Sequence, residues 1–398
     1  MYILNSNIKV GDIILVRGAA KHSKIIAKLT NGHFSHAMIA LENGVCLEAI
    51  TGTGVQRTSQ SRIGFHDKAN VIVLRCLFPD EQTALTTYEY ISKNSAKYQG
   101  NEYSYRGAIE SIATNDKDHT NGGYFCSHLV AAIFADAGFP LLDRPVHKIT
   151  PNQLLESHVL ENITDQIVTP ISDVTKKRME KNGDKFNCID AGGSTLSQDA
   201  KNHRKLLNDT AKYFRRNKID VPNRPVEFVL VLTDPLNQDF AKELDYQISK
   251  TYKKIGINEY VHQSFSHADY EADLATFADE VHSFGYTHAL NLYGNFNYLL
   301  MTQLAKRHNA VIHNKVFEDS YQKFKFRYCA LKLEYYSTII GAIDEMINHF
   351  IDIIRMIENK FPEHNEELQQ IKATIIINII DEQKDDEIKS ALMNFLKV

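Results

Sequence analysis

The segment GGYFCSHLVAAIFADAGFP, residues 122–140, places a lone cysteine, Cys126, where a helix is about to begin. Apolar residues at 129, 130, 133, 134 and 137 recur with helical spacing, and Gly138 with Pro140 closes the run. The pattern predicts a helix with Cys126 in its first turn. Free N–H groups and the positive end of the helix dipole favour a thiolate there, and a thiolate attacks carbonyl carbon. A cysteine beside Phe125 and Leu129 is equally an ordinary core residue, so a general base elsewhere must decide between the two.

GHFSHAMIALENGVCLEAI, residues 32–50, offers that base in His36 and a carboxylate in Glu48. The segment predicts a β-hairpin turning at Glu42-Asn43-Gly44, and loop length fixes which side chains share a face. A two-residue Asn43-Gly44 turn pairs 41 with 46 and puts Glu48 opposite His36. A three-residue turn with Gly44 in the left-handed region pairs 41 with 45 and 38 with 48. His36 and Glu48 then become diagonal neighbours on one face. In that register Glu48 can orient the imidazole while its other nitrogen takes a proton from a thiol. The chemistry is acyl transfer: a thiolate attacks an amide, ester or thioester carbonyl, and the backbone N–H of Cys126 is a natural donor to the developing oxyanion.

Taken in order, GDIILVRG, SHAMIALENGVCLEA, TGTGVQ and FCSHLVAAIF resemble the circularly permuted NlpC/P60 papain-like hydrolases, above all the YiiX/YebB-like group, which shares its permutation with the lecithin retinol acyltransferase-like proteins. In that group a His in an SHxGI-type strand and an acidic residue in an xxEA strand precede the nucleophile of an xCSxLV helix. The resemblance covers roughly residues 8 to 160. It implies Cys126 as nucleophile, His36 as base and Glu48 as third residue, with Tyr103, Tyr105 and Ser127 as candidates for substrate binding. Two departures stand out. His128 occupies a position where many relatives carry Glu, and Met38 one where glycine is common.

These residues need an α+β framework to position them. Residues 8–78 read as strands and turns, 81–98 as a helix, and a second helix follows Cys126. The fold class expected is thus a permuted papain-like (NlpC/P60) N-terminal domain, 1–160, followed by a connector with a helix, 161–224. Beyond Pro225, VEFVLVL, INEYVHQ, THALNLYG and AVIHN alternate with helical stretches, which predicts a small α/β domain over 225–316. In it, Asp234 and Tyr293-Gly294-Asn295 would lie at strand ends, where such sheets bind ligands, although Asp-Pro and Gly-Asn are also turn formers. Residues 317–398 read as helical throughout.

With 398 residues, 43% apolar and 24% charged, the chain has the make-up of a globular protein of two or three domains. A net charge of −4 and short basic clusters at 176–178 and 215–216 give no general attraction to nucleic acid. Five widely spaced cysteines without a CxxC pair argue for a reducing compartment and against a disulfide framework or a cysteine-based zinc site. His119 with Cys126 and His128, or His33 with His36, fall short of a four-ligand metal site. No metal and no cofactor is implied. The N-terminus lacks a secretory signal pattern, and the apolar stretch 337–356 is broken by Asp344, Glu345, Asp352 and Arg355, so a cytoplasmic protein without a membrane span is expected. Secretion by a route without such a signal, peripheral membrane contact and self-association through the C-terminal helices stay open. Two functions remain: a cysteine hydrolase or acyltransferase acting on a peptide-type or lipid acyl substrate, and an inactive papain-like scaffold whose C-terminal half binds a ligand or partner.

Overall fold

The apolar runs between residues 8 and 78 pair as antiparallel strands. The computed structural model describes the chain except for residues 6, 19–31, 43, 52, 61–62, 105–106, 108–122, 172–187, 194, 196, 266–269, 383–388, 391–392 and 394–398. It is a mixed α+β protein in two units, Met1–Ser197 and Gln198–Val398. The strands of the first unit are β1 (Tyr2–Leu4), β2 (Ile13–Val16), β3 (His36–Leu41), β4 (Val45–Ile50), β5 (Gly54–Ser59), β6 (Gly64–Phe65), β7 (Val71–Cys76), β8 (Leu160–Asn162) and β9 (Val168–Pro170). Six of them form an antiparallel sheet in the order β5-β4-β3-β2-β7-β8, and a second sheet has the order β6-β1-β9.

Strand alternation gives the larger sheet two buried faces. Ile13, Leu15, Ala37, Ile39, Leu47 and Leu74 pack against the helices Glu81–Tyr98 and Cys126–Asp136. Ile14, Val16, Met38, Cys46 and Val73 pack on the other side with Leu4, Phe65, Ile163 and Val168. The helix Glu81–Tyr98 starts where Asp80 accepts a hydrogen bond from the Thr83 N–H, a side-chain cap of the expected kind. Cys126–Asp136 ends in a Schellman motif: Gly138 has φ 81°, its N–H reaches Ala135 O, and the Phe139 N–H reaches Phe134 O.

The first unit extends past the expected boundary at 160. β8 and β9 join its sheets, and Asp190 accepts hydrogen bonds from the backbone N–H groups of His66 and Asp67 and from Asn70 Nδ2. Much of the segment read as a connector is thus part of the first unit.

In the second unit the expected small α/β domain at 225–316 is replaced by helices: Phe228–Thr233, Gln238–Ile255, Ile257–Phe265 and Tyr270–Phe324, the last broken at Gly285 (φ 71°). Before them comes Gln198–Arg216, after them Arg327–Lys360 and Asn365–Glu382. The run VEFVLVL shows why. Phe228, Val229 and Leu232 are buried while Leu230 is 65% exposed, a helical burial period that a short apolar run does not reveal in sequence. Asp234 accordingly caps a turn through the Leu236 N–H, and Tyr293-Gly294-Asn295 lies within a helix; neither sits at a strand end. Asp245 receives the N–H groups of Arg327 and Tyr328 at 2.9 and 2.8 Å, and so caps Arg327–Lys360 from another helix. Among the described residues no helix is long and apolar enough to cross a membrane.

The hairpin joining β3 to β4 takes the three-residue turn, with Leu41 opposite Val45, Met38 opposite Glu48, and Gly44 at φ 64°. Gly44→Ala should therefore lower the stability of the first unit by about 1–2 kcal/mol, the cost of a side chain in the left-handed region. Urea denaturation followed by circular dichroism measures it; an unchanged midpoint would show that the turn does not need this conformation.

Candidate active site

The hairpin register decides the site. With Met38 opposite Glu48, His36 and Glu48 lie diagonally on one face, and His36 Nε2 is 2.8 Å from Glu48 Oε2. The Cys126 side chain stands close enough to His36 to act on its ionisation. The Cys126 Sγ lies 3.9 Å from Ser35 O, at the start of β3. The three residues separated as 36, 48 and 126 in the chain are thus brought into one row. Asn152 fixes the approach to it: its side chain accepts from the Phe34 N–H at 2.9 Å and donates to Phe34 O at 2.7 Å. Phe125 at the N-cap of Cys126–Asp136 makes no side-chain capping bond, and the first turn carries no acidic residue. The dipole's positive end therefore faces the thiol without competition from a neighbouring carboxylate.

Glu48 is fully buried, a position that by itself disfavours its charge. Hydrogen bonding and attraction to His36, with hydrogen bonds from Thr195 and Thr58, more than offset that burial and hold the carboxyl below its ordinary value of 4.5. Gln56 Nε2 adds a further donor at 3.3 Å. For His36, burial pulls toward the neutral ring, but hydrogen bonds to Cys126 and Glu48 and their charges win, raising it from 6.5 to about 10. The charged imidazole is thus the resting form at neutral pH. The signs follow for stability. The His36 contribution is complete below about pH 6.5 and is lost as pH climbs toward 10; that of Glu48 is complete above about 4.5 and is lost as pH falls through its lowered value.

Thr58, Gln56 and Thr195 were not anticipated. The first two had a signal: β5 alternates, and Gln56 pairs directly with Glu48, so polar residues at 56 and 58 on an inward face call for a buried polar partner. Thr195 had none, since its contact arises from the late return of the chain to the first unit.

The remaining candidates divide. Tyr103 forms a bridge with Tyr124, two residues before the cysteine, and packs at the edge of the core. Tyr105 lies outside the described residues. Ser127 is fully buried and donates to Ile149 O at 2.7 Å. His128 packs its ring on Tyr124 and Phe125 at 4.8 and 5.4 Å. His33 turns to Ala69 O at 3.1 Å, and among the described residues no three His, Cys, Asp or Glu side chains converge as metal ligands. No family model matches the chain, and no curated protein matches it.

The charge state of His36 can be read directly. In a histidine-selective NMR titration of the whole chain His36 should change form near pH 10, and Glu48→Gln should lower that midpoint by more than one unit. Thr58→Val should lower it less, because the carboxylate remains. A midpoint near 6.5 in the native protein would show that the row does not hold the charge.

Proposed function

We propose that the first unit is a cysteine hydrolase or acyltransferase that works through an acyl-enzyme on Cys126. The observation that carries this reading is the row Cys126–His36–Glu48, with a buried carboxylate behind a charged imidazole and a thiol in front of it at a helix start. Support also comes from the chain order His36, Glu48, Cys126 and the motifs around them, which resemble the permuted NlpC/P60 papain-like group. The finer fold reading, a permuted papain-like domain, belongs to the same proposal.

In the reaction the Cys126 sulfur lone pair attacks the carbonyl carbon of an amide, ester or thioester. The carbonyl pair moves to oxygen, toward the Cys126 N–H at the helix start. His36 gives its proton to the leaving amine, alcohol or thiol as the carbon–heteroatom bond breaks. The neutral ring then takes a proton from water or another acceptor, whose oxygen or nitrogen attacks the thioester and releases Cys126. Glu48 moves no proton; it keeps the ring oriented and stabilises its charge. Peptide-type amides and lipid acyl groups both fit this chemistry.

Profiling the chain against peptide and lipid acyl libraries tests the proposal. Cys126→Ala should abolish turnover, a loss of about 10⁴-fold or more, and Glu48→Gln should lower it by a smaller factor with the fold intact. Because the acid must be the protonated ring, kcat/KM should hold through pH 9 and fall as pH passes about 10. Turnover that survives Cys126→Ala would end this reading; so would an alkaline limb near pH 6.5.

A further inference from the structure

The helix Gln198–Arg216 buries Leu206, Leu207, Thr210, Ala211 and Phe214 against the second unit. What it leaves to solvent is almost wholly basic. Beyond Gln198 its exposed side chains are Lys201, Lys205, Asn208, Asp209, Lys212, Arg215 and Arg216. At about 100° per residue the five cations fall within an arc of about 100°, along roughly 22 Å of helix. None of them has an ion pair or a hydrogen bond among the described residues; Lys212 lies over the Tyr213 ring, 4.9 Å from its centroid. Cations elsewhere on the unit are placed differently. Arg224 pairs with Glu227, Arg307 with Asp344, and Lys315 with Glu318 and Asp319. Like charges one turn apart, as in Lys201 with Lys205 and Lys212 with Arg216, repel. The apolar side of the helix holds them together, and an anionic surface would relieve the repulsion.

A second feature lies at the C-terminal end of this helix. Phe214 packs on Phe228 with ring centroids 5.1 Å apart, which brings the helix Phe228–Thr233 against the last turn. There Leu230 is 65% and Leu236 87% exposed. Asn237 Nδ2 donates to Val231 O at 2.9 Å and folds the turn Pro235–Asn237, which carries Leu236, back onto Phe228–Thr233. Two large aliphatic side chains thus project into water at the end where Arg215 and Arg216 stand. Asp234 is engaged by the Leu236 N–H; Asp239 follows as an exposed acid, and just past Arg216 the exposed Lys218 and Asp220 cancel in charge. We propose that the second unit docks on an anionic lipid bilayer through this cationic face, with Leu230 and Leu236 entering the headgroup layer at its C-terminal end.

Charge alone would suit any polyanion, since phosphodiester backbones and acidic headgroups both attract Lys and Arg. The leucines separate the two. A nucleic-acid backbone offers an exposed leucine nothing, whereas the bilayer interface takes apolar side chains out of water. The helix itself does not insert, because its apolar face is already packed in the core. Contact is therefore peripheral, electrostatic along the helix and apolar at its end. Docking of this kind needs nothing from Cys126.

Co-sedimentation of the whole chain with vesicles of phosphatidylcholine, alone or mixed with phosphatidylserine, tests this. The chain should bind the mixed vesicles in preference to phosphatidylcholine alone and leave them at about 1 M salt, where charge is screened within about 3 Å. Each Lys or Arg near such a surface strengthens binding about fivefold, so Lys205→Gln/Lys212→Gln should weaken it about 25-fold. Leu236→Ser should weaken it about tenfold and leave binding to a DNA duplex unchanged. Lys315→Gln removes a cation that is already paired and should change nothing. All these side chains are exposed, and circular dichroism checks that the helices stay intact. No binding, equal binding to both vesicles, or a Lys205→Gln/Lys212→Gln chain that binds as the native one does would overturn the proposal. So would a loss with Lys315→Gln equal to that with Lys205→Gln alone. Tighter binding to the duplex than to the vesicles, with Leu236→Ser without effect, would assign the face to nucleic acid instead.

Discussion

The buried charge of Glu48 is the constraint on which the first unit turns. A carboxylate taken out of water costs several kcal/mol, and stripping a partner from a buried ion pair typically costs about 3–5 kcal/mol. The chain meets that cost with a protonated imidazole and with donors from β5 and from Thr195. Each donor depends on register. A one-residue slip between β3 and β4 would send Glu48 to the opposite face, away from His36, Gln56 and Thr58. The left-handed Gly44 that sets this hairpin is thus linked, through two strands, to the ionisation of a side chain at the sheet's end.

The same carboxylate holds the charged ring that stands beside Cys126. Burial pushes Cys46 and Cys76 well above the usual thiol range, with nearby Glu48 and Asp12 adding to it for Cys46 and Asp12 for Cys76. Cys126 stands beside a cationic ring at a helix start. Asn152, clamped to both backbone groups of Phe34, and the Schellman motif beyond Asp136 hold the strand and the helix that bring ring and thiol together. Geometry that is built from both sides in this way suits a reaction in which sulfur and proton must be placed at once.

What the sequence made legible follows from how local each determinant is. The helix start at Cys126 and the helix Glu81–Tyr98 rest on spacing, an Asp80 cap and a terminal glycine, all within a few residues. The His36–Glu48 pair needed a choice between two turn lengths, and the structure has the three-residue one. The expected strands at 225–316 failed because short apolar runs carry no period long enough to separate strand from helix. INEYVHQ buries Ile257, Asn258 and Val261 on one helical face. The boundary at 160 failed for a different reason. Asp190 and Thr195 are tied to the sheet by single side chains across more than a hundred residues, which no local pattern encodes.

The central claim is that Cys126 is an activated thiol in a row with His36 and Glu48. The rate of iodoacetamide alkylation of each cysteine in the native chain, followed from pH 5 to 9, tests it most directly. Cys126 should be alkylated first near neutral pH, ahead of the half-exposed Cys188 and of buried Cys46, Cys76 and Cys329, and the lead should shrink in Glu48→Gln. Alkylation of Cys126 no faster than Cys188 across that range, or a lead indifferent to Glu48, would contradict the account.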